Sequence, residues 1–573
     1  MNERRSRHFG LALLRIIVCG ALGILLAVVA PLVFAAPPPL PPPDAGSLLQ
    51  QVQPAPAPPV PSNGTGLTIE QERGAPLPQT APFLVQSIQI VGNKVFDTPT
   101  LHALVAGAEG QSLTLVQLHE RVALITRYYQ AHGYPLARAI IPQQLIQSGN
   151  VRIEIIEAHY GKILLQNTSR VQDPLLQSTL ASLQPGQAVS QGFLDHALLL
   201  LSDVPGVSVN ATLKPGEAVG TSDLMVDTKP LPAVAGDVSV DNFGNPVTGR
   251  ARLGGTVDFI DPLHHGDTLS LTGLTSGSDM DYGRVAYDSV LNGVGTRAGI
   301  SYSELYYKLG HPLSALDAHG TAGVESLWAK QPLIRSADVN LYGQLEYDHL
   351  QLDDHIDVSE TKTDRHLNNV TASLVGDARD ALLTGGITSW NASFTSGQVA
   401  FDNGAAELAD AATVRTAGRY SKLDLGFNRL QYVSPSNTLY LAFSSQWANS
   451  NLDTSQKIIA GGPFTVRAYD MGAVSGDTGY QGTAEFRHDL GMAWQGRWQA
   501  IAFIDSAQLT IDRNPLISGK NTATLSGAGV GLNWLGPQSW RVTTSLAARF
   551  GPTPVLVQDP ASVRVWVELS KGF

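Results

Sequence analysis

The chain has 573 residues, of which 15% are charged, against roughly one quarter in a soluble globular protein. Its formal charge of -11 is spread without a basic stripe, which argues against nucleic acid as the main partner. A single cysteine, Cys19, excludes a disulfide framework and a cysteine-ligated metal site. The 43% of hydrophobic residues is too apolar for a disordered chain, and the 56 glycines point to an all-β protein outside the ordinary soluble class.

Arg4, Arg5 and Arg7 precede an apolar stretch from Phe9 to Phe34, and Ala35 and Ala36 supply small residues for cleavage. Residues 1–36 therefore read as a signal peptide. Arg15 inside the stretch leaves an uncleaved anchor as the alternative, but the prolines that follow at once favour removal. Those residues carry a net +3, so taking 3 from -11 leaves an exported chain of charge -14. No later segment approaches the roughly 18 consecutive apolar residues of a membrane-spanning helix. Entry into a membrane would then require a closed β-barrel, since lipid tolerates no open sheet edge.

Residues 37–80 form a proline-rich linker, extended and semi-rigid. Within it, Asp44 can cap a short helix over residues 44–53, with Leu48, Leu49 and Val52 on one side. So short a helix is marginal in water and has to dock on something. It reads as a plug.

From Phe83 the pattern changes. Val85–Val91 reads as a strand and Thr98–Ala106 as a helix. A second helix starts at Thr114, which forms a capping box with Gln117. Its apolar face is Leu118, Val122, Ile125 and Tyr129, and Gly133 stands where a C-cap belongs. Strands Ala137–Pro142 and Val151–Ile156 follow, joined through Gly149. The order β-α-α-β-β then recurs: strand Lys162–Gln166, helices Asp173–Leu183 and Ser190–Leu201, strands Val207–Lys214 and Asp223–Lys229. Phe193, Leu194, Ala197 and Leu201 are the expected packing face of the second of these helices. The modules occupy residues 81–158 and 159–231.

After Pro232 the helical signal stops. In Val339–Asp348 and Leu439–Trp447 the residues alternate with a period of two, and Trp498, Ala500, Ala502 and Ile504 share one side of another segment, the whole cut by Gly, Asn, Asp and Ser turns. A soluble sandwich shows the same alternation, but an exported chain without a spanning helix favours an outer-membrane barrel over residues 232–573. The last segment sets Val563, Val565, Val567 and Leu569 on one face and ends on Phe573, which looks like the signal that such barrels present for insertion.

Tyr129–Glu157, with Gly133, Tyr134, Pro142, Gln143 and Gly149, resembles the POTRA module of two-partner secretion transporters, the hemolysin secretion/activation class. Asp241–Gly244, Gly249, Gly266 and Asp267 resemble the opening barrel strands of that family. Most specific is the run from Gly461 and Gly462 to Val466, Arg467, Ala468 and Tyr469, followed by Ser475–Asp477 and Glu485. It is similar to the family's inward-folded loop, in which glycine is commoner at the position of Ala468. Phe503 and Asp505 resemble the barrel-wall motif that pairs with the loop arginine. On spacing alone, any solvated acid would serve Arg467; the resemblance favours Asp505, reached by a fork-shaped, charge-assisted bond.

The resemblance implies a mainly β fold, with two periplasmic POTRA domains ahead of a sixteen-stranded outer-membrane barrel in a Gram-negative bacterium. It implies a translocation pore for an unfolded, extended exoprotein client, adhesin- or hemolysin-like. Outer-membrane lipid and the barrel assembly machinery are the other expected partners. A barrel-insertion factor and a passive porin are the alternatives. Gly-x-Ser-x-Gly, His-Glu-x-x-His and phosphate-loop motifs do not occur, so no catalytic residue, cofactor or metal is expected. His264 and His265 read as a solvated turn pair, and Gly527, Gly529 and Gly531 as a small-residue strand.

Overall fold

The computed structural model describes residues 42–52, 66–70, 79–146, 148–310, 312–516, 519–552, 554–557 and 561–573. The expected signal peptide and most of the proline linker lie outside them. The described residues all belong to one unit, Pro41–Phe573.

Helix α1, Ala45–Val52, stands apart from the first module in sequence. That module carries α2 (Thr98–Val105) and α3 (Leu115–Ala131). The Thr114 hydroxyl accepts from the Gln117 amide while the Gln117 side chain accepts from the Thr114 amide, so the capping box forms in both directions. Leu118, Val122, Ile125 and Tyr129 are buried against Leu101, Val105, Val151 and Ile153. The sheet beneath runs Ser87–Val91, Asn150–Ile156, Arg138–Ile140.

The second module repeats the order with α4 (Asp173–Leu180) and α5 (Gln191–Ser202) over strands His159–Asn167, Thr221–Pro230 and Val207–Pro215. Leu194, Ala197 and Leu201 are buried as their spacing requires, but Phe193 is exposed. It sits one position off that stripe, on the solvent side of α5. A fourth strand, Leu67–Ile69 from the linker, lies parallel to Val207–Pro215, pairing Leu67 with Ala211 and Ile69 with Leu213. The chain itself thus occupies one open edge of the second module.

Among the described residues, sixteen antiparallel strands from Val234–Asp241 to Val563–Gly572 close into a barrel. Each turns alternate side chains outward. In Val339–Ile356, Leu345 and Tyr347 are exposed outside the wall, while Leu350, Leu352 and Asp354 are buried inside. Val238, Leu271, Ile300, Leu327, Phe394, Phe443, Ile504 and Val565 continue the apolar outer surface. So much exposed aliphatic area around a closed wall fits lipid, not water. Among the described residues no helix is long and apolar enough to cross a membrane.

The second module is fixed to the near rim of the barrel. Arg335, the last residue of strand Ala318–Arg335, donates from Nε and Nη2 to both oxygens of Asp203 at 2.7 and 2.8 Å. The Gln172 amide donates to the His264 carbonyl at 3.0 Å, which gives that expected solvated turn a docking role. A final helix, α6 (Gly404–Ala412), sits in the connection between strands Gly386–Phe401 and Gly418–Ser434.

Candidate functional site

The interior of the barrel is filled from two directions. One is the long connection between strands Asn437–Ala448 and Thr478–Ala493, which folds inward through a small hairpin, Ile458–Ala460 with Val474–Gly476. Gly461 and Gly462 follow it at φ +103° and +113°, a region where side chains are strained. A Cβ on Gly461 would also lie 2.4 Å from the Asp470 carbonyl. Only glycine lets the hairpin turn into the tip.

At the tip, Arg467 is nearly buried. Its Nε and Nη2 donate to the two oxygens of Asp505 at 2.9 and 2.7 Å, and its own amide adds a third bond to that carboxylate at 3.1 Å. Nη1 donates to Glu485 at 2.6 Å and Nη2 to the Thr483 hydroxyl at 2.8 Å. The guanidinium lies 3.4 Å over the Phe503 ring. Arg487 donates to the other oxygen of Glu485 from Nε at 2.8 Å. Two guanidinium groups therefore face two carboxylates, and the buried cluster is electrically neutral.

Alternation explains the assembly. Thr483 pairs in register with Asp505 and Glu485 with Phe503 across strands Thr478–Ala493 and Gly496–Thr510, so all four point inward on two successive rungs of one face. The family resemblance, not spacing, points to Asp505 as the acid; the inward parity of Thr483, Glu485 and Arg487 is the signal for the other partners. Val466, Ala468 and Tyr469 are buried around the arginine. Ala468 stays outside the left-handed region, so the departure from glycine there costs no backbone strain. Its methyl fits because Gly527 lies opposite: a Cβ there would be 2.4 Å from that of Ala468. The Trp566 indole, on the last strand, donates to the Arg467 carbonyl at 2.7 Å.

The second filler is α1. Leu48 and Leu49 are buried against Leu305, Tyr307, Leu350 and Leu352 of the inner wall. One oxygen of Asp44 accepts from the Ser47 amide at 2.9 Å and caps the helix. The other accepts from Arg365 at 2.9 Å and from the Thr454 hydroxyl at 2.7 Å. Arg365 also donates to Asp354 and Asp453, while the Ala45 amide donates to Asp354. One buried guanidinium thus ties the helix to the wall and to the stem of the inward loop. A Cβ on Gly46 would lie 2.6 Å from the Thr454 hydroxyl, so helix and loop stem touch directly.

The remaining sequence-selected residues lie elsewhere. Gly133, at φ +86°, ends α3, and Tyr134 stacks edge-on with Phe96. The carbonyl of Gly149, at φ +72°, accepts from the Gln86 amide, while Pro142 is half-buried and Gln143 exposed beyond strand Arg138–Ile140. They shape the first module and do not reach the lumen. Phe573 is exposed at the rim, its amide donating to the Gly236 carbonyl at 3.0 Å. Among the described residues no group of three or more His, Cys, Asp or Glu is placed to hold a metal.

Residues 83–158 match the POTRA domain of ShlB type, and residues 220–534 match the haemolysin secretion/activation protein ShlB/FhaC/HecB. The chain is 26% identical over 502 residues to the heme/hemopexin transporter protein HuxB of Haemophilus influenzae strain 86-028NP, covering 86% of this chain and 88% of that one. It is 24% identical over 469 residues to the outer membrane transporter CdiB of Escherichia coli, covering 79% and 76%. The solved structure of CdiB from Escherichia coli superposes with a TM-score of 0.68 at 20% identity, over 89% of this chain and 94% of that one.

Proposed function

Because this chain belongs to the haemolysin secretion/activation protein family ShlB/FhaC/HecB, we propose that it is the outer-membrane pore of a two-partner secretion system. Its barrel lies in the outer membrane of a Gram-negative bacterium and its POTRA domains in the periplasm. A large exoprotein, captured unfolded by those domains, passes through the lumen to the cell surface. The observation that carries this reading is the buried Arg467 cluster, which holds an inward-folded loop, and not a strand of the wall, inside the barrel.

Three further assignments belong to the proposal. The POTRA edges take an extended client by strand addition, using main-chain bonds that tolerate varied sequence; residues Leu67–Ile69 pairing on the second module are an example of such an addition. The outward aliphatic face meets lipid, and the strand ending in Phe573 is read by the barrel assembly machinery. The chain is a conduit and not an enzyme. Insertion of other barrels is the weaker alternative, since the relatives matched over most of their length are named transporters.

Deletion of the protein tests this directly. A single large polypeptide is expected to vanish from the medium or cell surface. A general loss of other outer-membrane barrels would instead indicate an insertion factor, and channel activity with unchanged secretion a passive porin.

A further inference from the structure

The barrel closes where its first strand meets its last, and that seam is only half made by strand pairing. Asp237 to Asp241 pair with Gly572 to Glu568, five register pairs, against eight between the first and second strands. Beyond Asp241 the last strand runs on to Val563 with one further backbone bond to the first-strand side, from the Asn242 amide to the Val567 carbonyl at 3.2 Å. The Asn242 side chain substitutes for one step of the ladder: its Nδ2 donates to the Val565 carbonyl at 2.9 Å and its Oδ1 accepts from the Val567 amide at 2.8 Å.

The inward loop bridges what is left. Asp470, three residues past Arg467, accepts from Arg250 on one oxygen and from Arg564 on the other, both at 2.6 Å. Arg250 lies in the connection leaving the first strand, and Arg564 on the last strand. The Asp470 and Arg564 side chains are 16% and 13% exposed, so this bridge is poorly screened by solvent. Phe243, from the first-strand side, packs edge-on against both Phe464 of the loop and Trp566 of the last strand. The Asn245 amide group donates to the Met471 carbonyl at 3.2 Å.

We propose that Asp470 is a positioning residue that staples the extracellular half of the seam, so that the loop held by Arg467 and the closure of the barrel form one unit. A loop that leaves Asp505 withdraws Asp470 from Arg250 and Arg564, and the Asn242 amide is then the main polar link above Asp241. The barrel can widen there while the five lower pairs hold. This rests on the transporter reading only for its purpose; the coupling itself is a property of the isolated barrel.

The test is amide hydrogen exchange on the purified full chain in detergent. Asp470→Ala is expected to speed exchange at Val563–Val567 by about tenfold or more, with little change at Gly496–Thr510. Asp470→Glu, which keeps the charge, should restore most of the protection. Arg467→Ala should speed exchange at the same stretch of the seam, although the Trp566 bond to the residue 467 carbonyl is a backbone contact that alanine keeps. Seam exchange within twofold of the parent in both alanine variants would overturn the proposal. If Asp470→Ala fails to insert, Arg250→Gln removes one arm of the staple at an exposed side chain. It should raise seam exchange likewise, and no change there would equally overturn the proposal. Secretion per folded barrel is read separately: lost seam protection with unchanged secretion would leave the staple standing and sever it from transport.

Discussion

Arg467 satisfies two carboxylates and a hydroxyl at once, so removing its charge leaves its surroundings with an excess negative charge. Arg467→Ala strands Asp505, which is fully buried, at a cost on the order of 3–5 kcal/mol. Secretion per folded barrel should fall sharply in Arg467→Ala and in Asp505→Ala, with insertion retained. The double variant removes one charge of each sign and leaves Arg487 on Glu485, so it should be no worse than the worse single one. Fully additive losses would mean that the two residues act apart. Arg467→Lys should fail almost as badly, because an ammonium cannot span Asp505, Glu485 and Thr483 together. Ala468→Gly should be close to silent, whereas Gly527→Val should displace the loop by filling the space its methyl needs. In the first POTRA domain, a hydrogen bond with His102 and one from the Ile88 amide hold the Glu109 carboxyl below its ordinary 4.5. A depressed acid stabilises the fold above that value, and its contribution is lost as pH falls through its lowered pKa. An NMR titration of Glu109 should therefore show a midpoint below 4.5, returning towards it in His102→Ala.

Helix α1 shows what a short element requires in order to exist. Eight residues gain too little from their own hydrogen bonds, and the burial of Leu48 and Leu49 on the barrel wall supplies the difference. Its anchorage runs through Asp44, whose charge-assisted bonds to Arg365 and Thr454 contribute about 1.5–3 kcal/mol. Deleting residues 37–63 should raise single-channel conductance in planar bilayers with the barrel still folded, and Asp44→Asn should raise the frequency of open events. Unchanged conductance in a well-folded deletion would remove the plug assignment. Arg365→Ala should act more strongly than Asp44→Asn, since it leaves Asp354 and Asp453 facing each other without a cation.

At the scale of the whole molecule, the POTRA region and barrel act together only if their orientation is set. The fork of Arg335 on Asp203 and the contact of Gln172 with the turn at His264 set it on one part of the rim. Asp203 is partly exposed, so the fork is worth only about 1 kcal/mol. Arg335→Ala should therefore leave heat-modifiable migration of the barrel unchanged while lowering secretion a few-fold. An unchanged secretion yield would show that POTRA orientation is not limiting. Recovery of the intact protein in the soluble periplasm would contradict the membrane barrel altogether.

Period-two alternation, the capping box at Thr114 and the glycines at Gly133 and Gly149 are local, because steric and hydrogen-bond preferences act within a few residues. They determined the β-α-α-β-β order and the barrel class, and the Arg467 loop was legible because its motif resembles one already known. Phe193 was misplaced because one residue of helical phase decides between core and solvent, which periodicity reads too coarsely. Closure of the barrel decided the rest. It set Glu485 and Thr483 beside Asp505, brought Arg365 to a helix more than three hundred residues away, and laid Asp470 between Arg250 and Arg564. Such contacts depend on strand register and on burial around a closed wall, so ions far apart in the chain must find partners once water is excluded, and no local pattern names those partners.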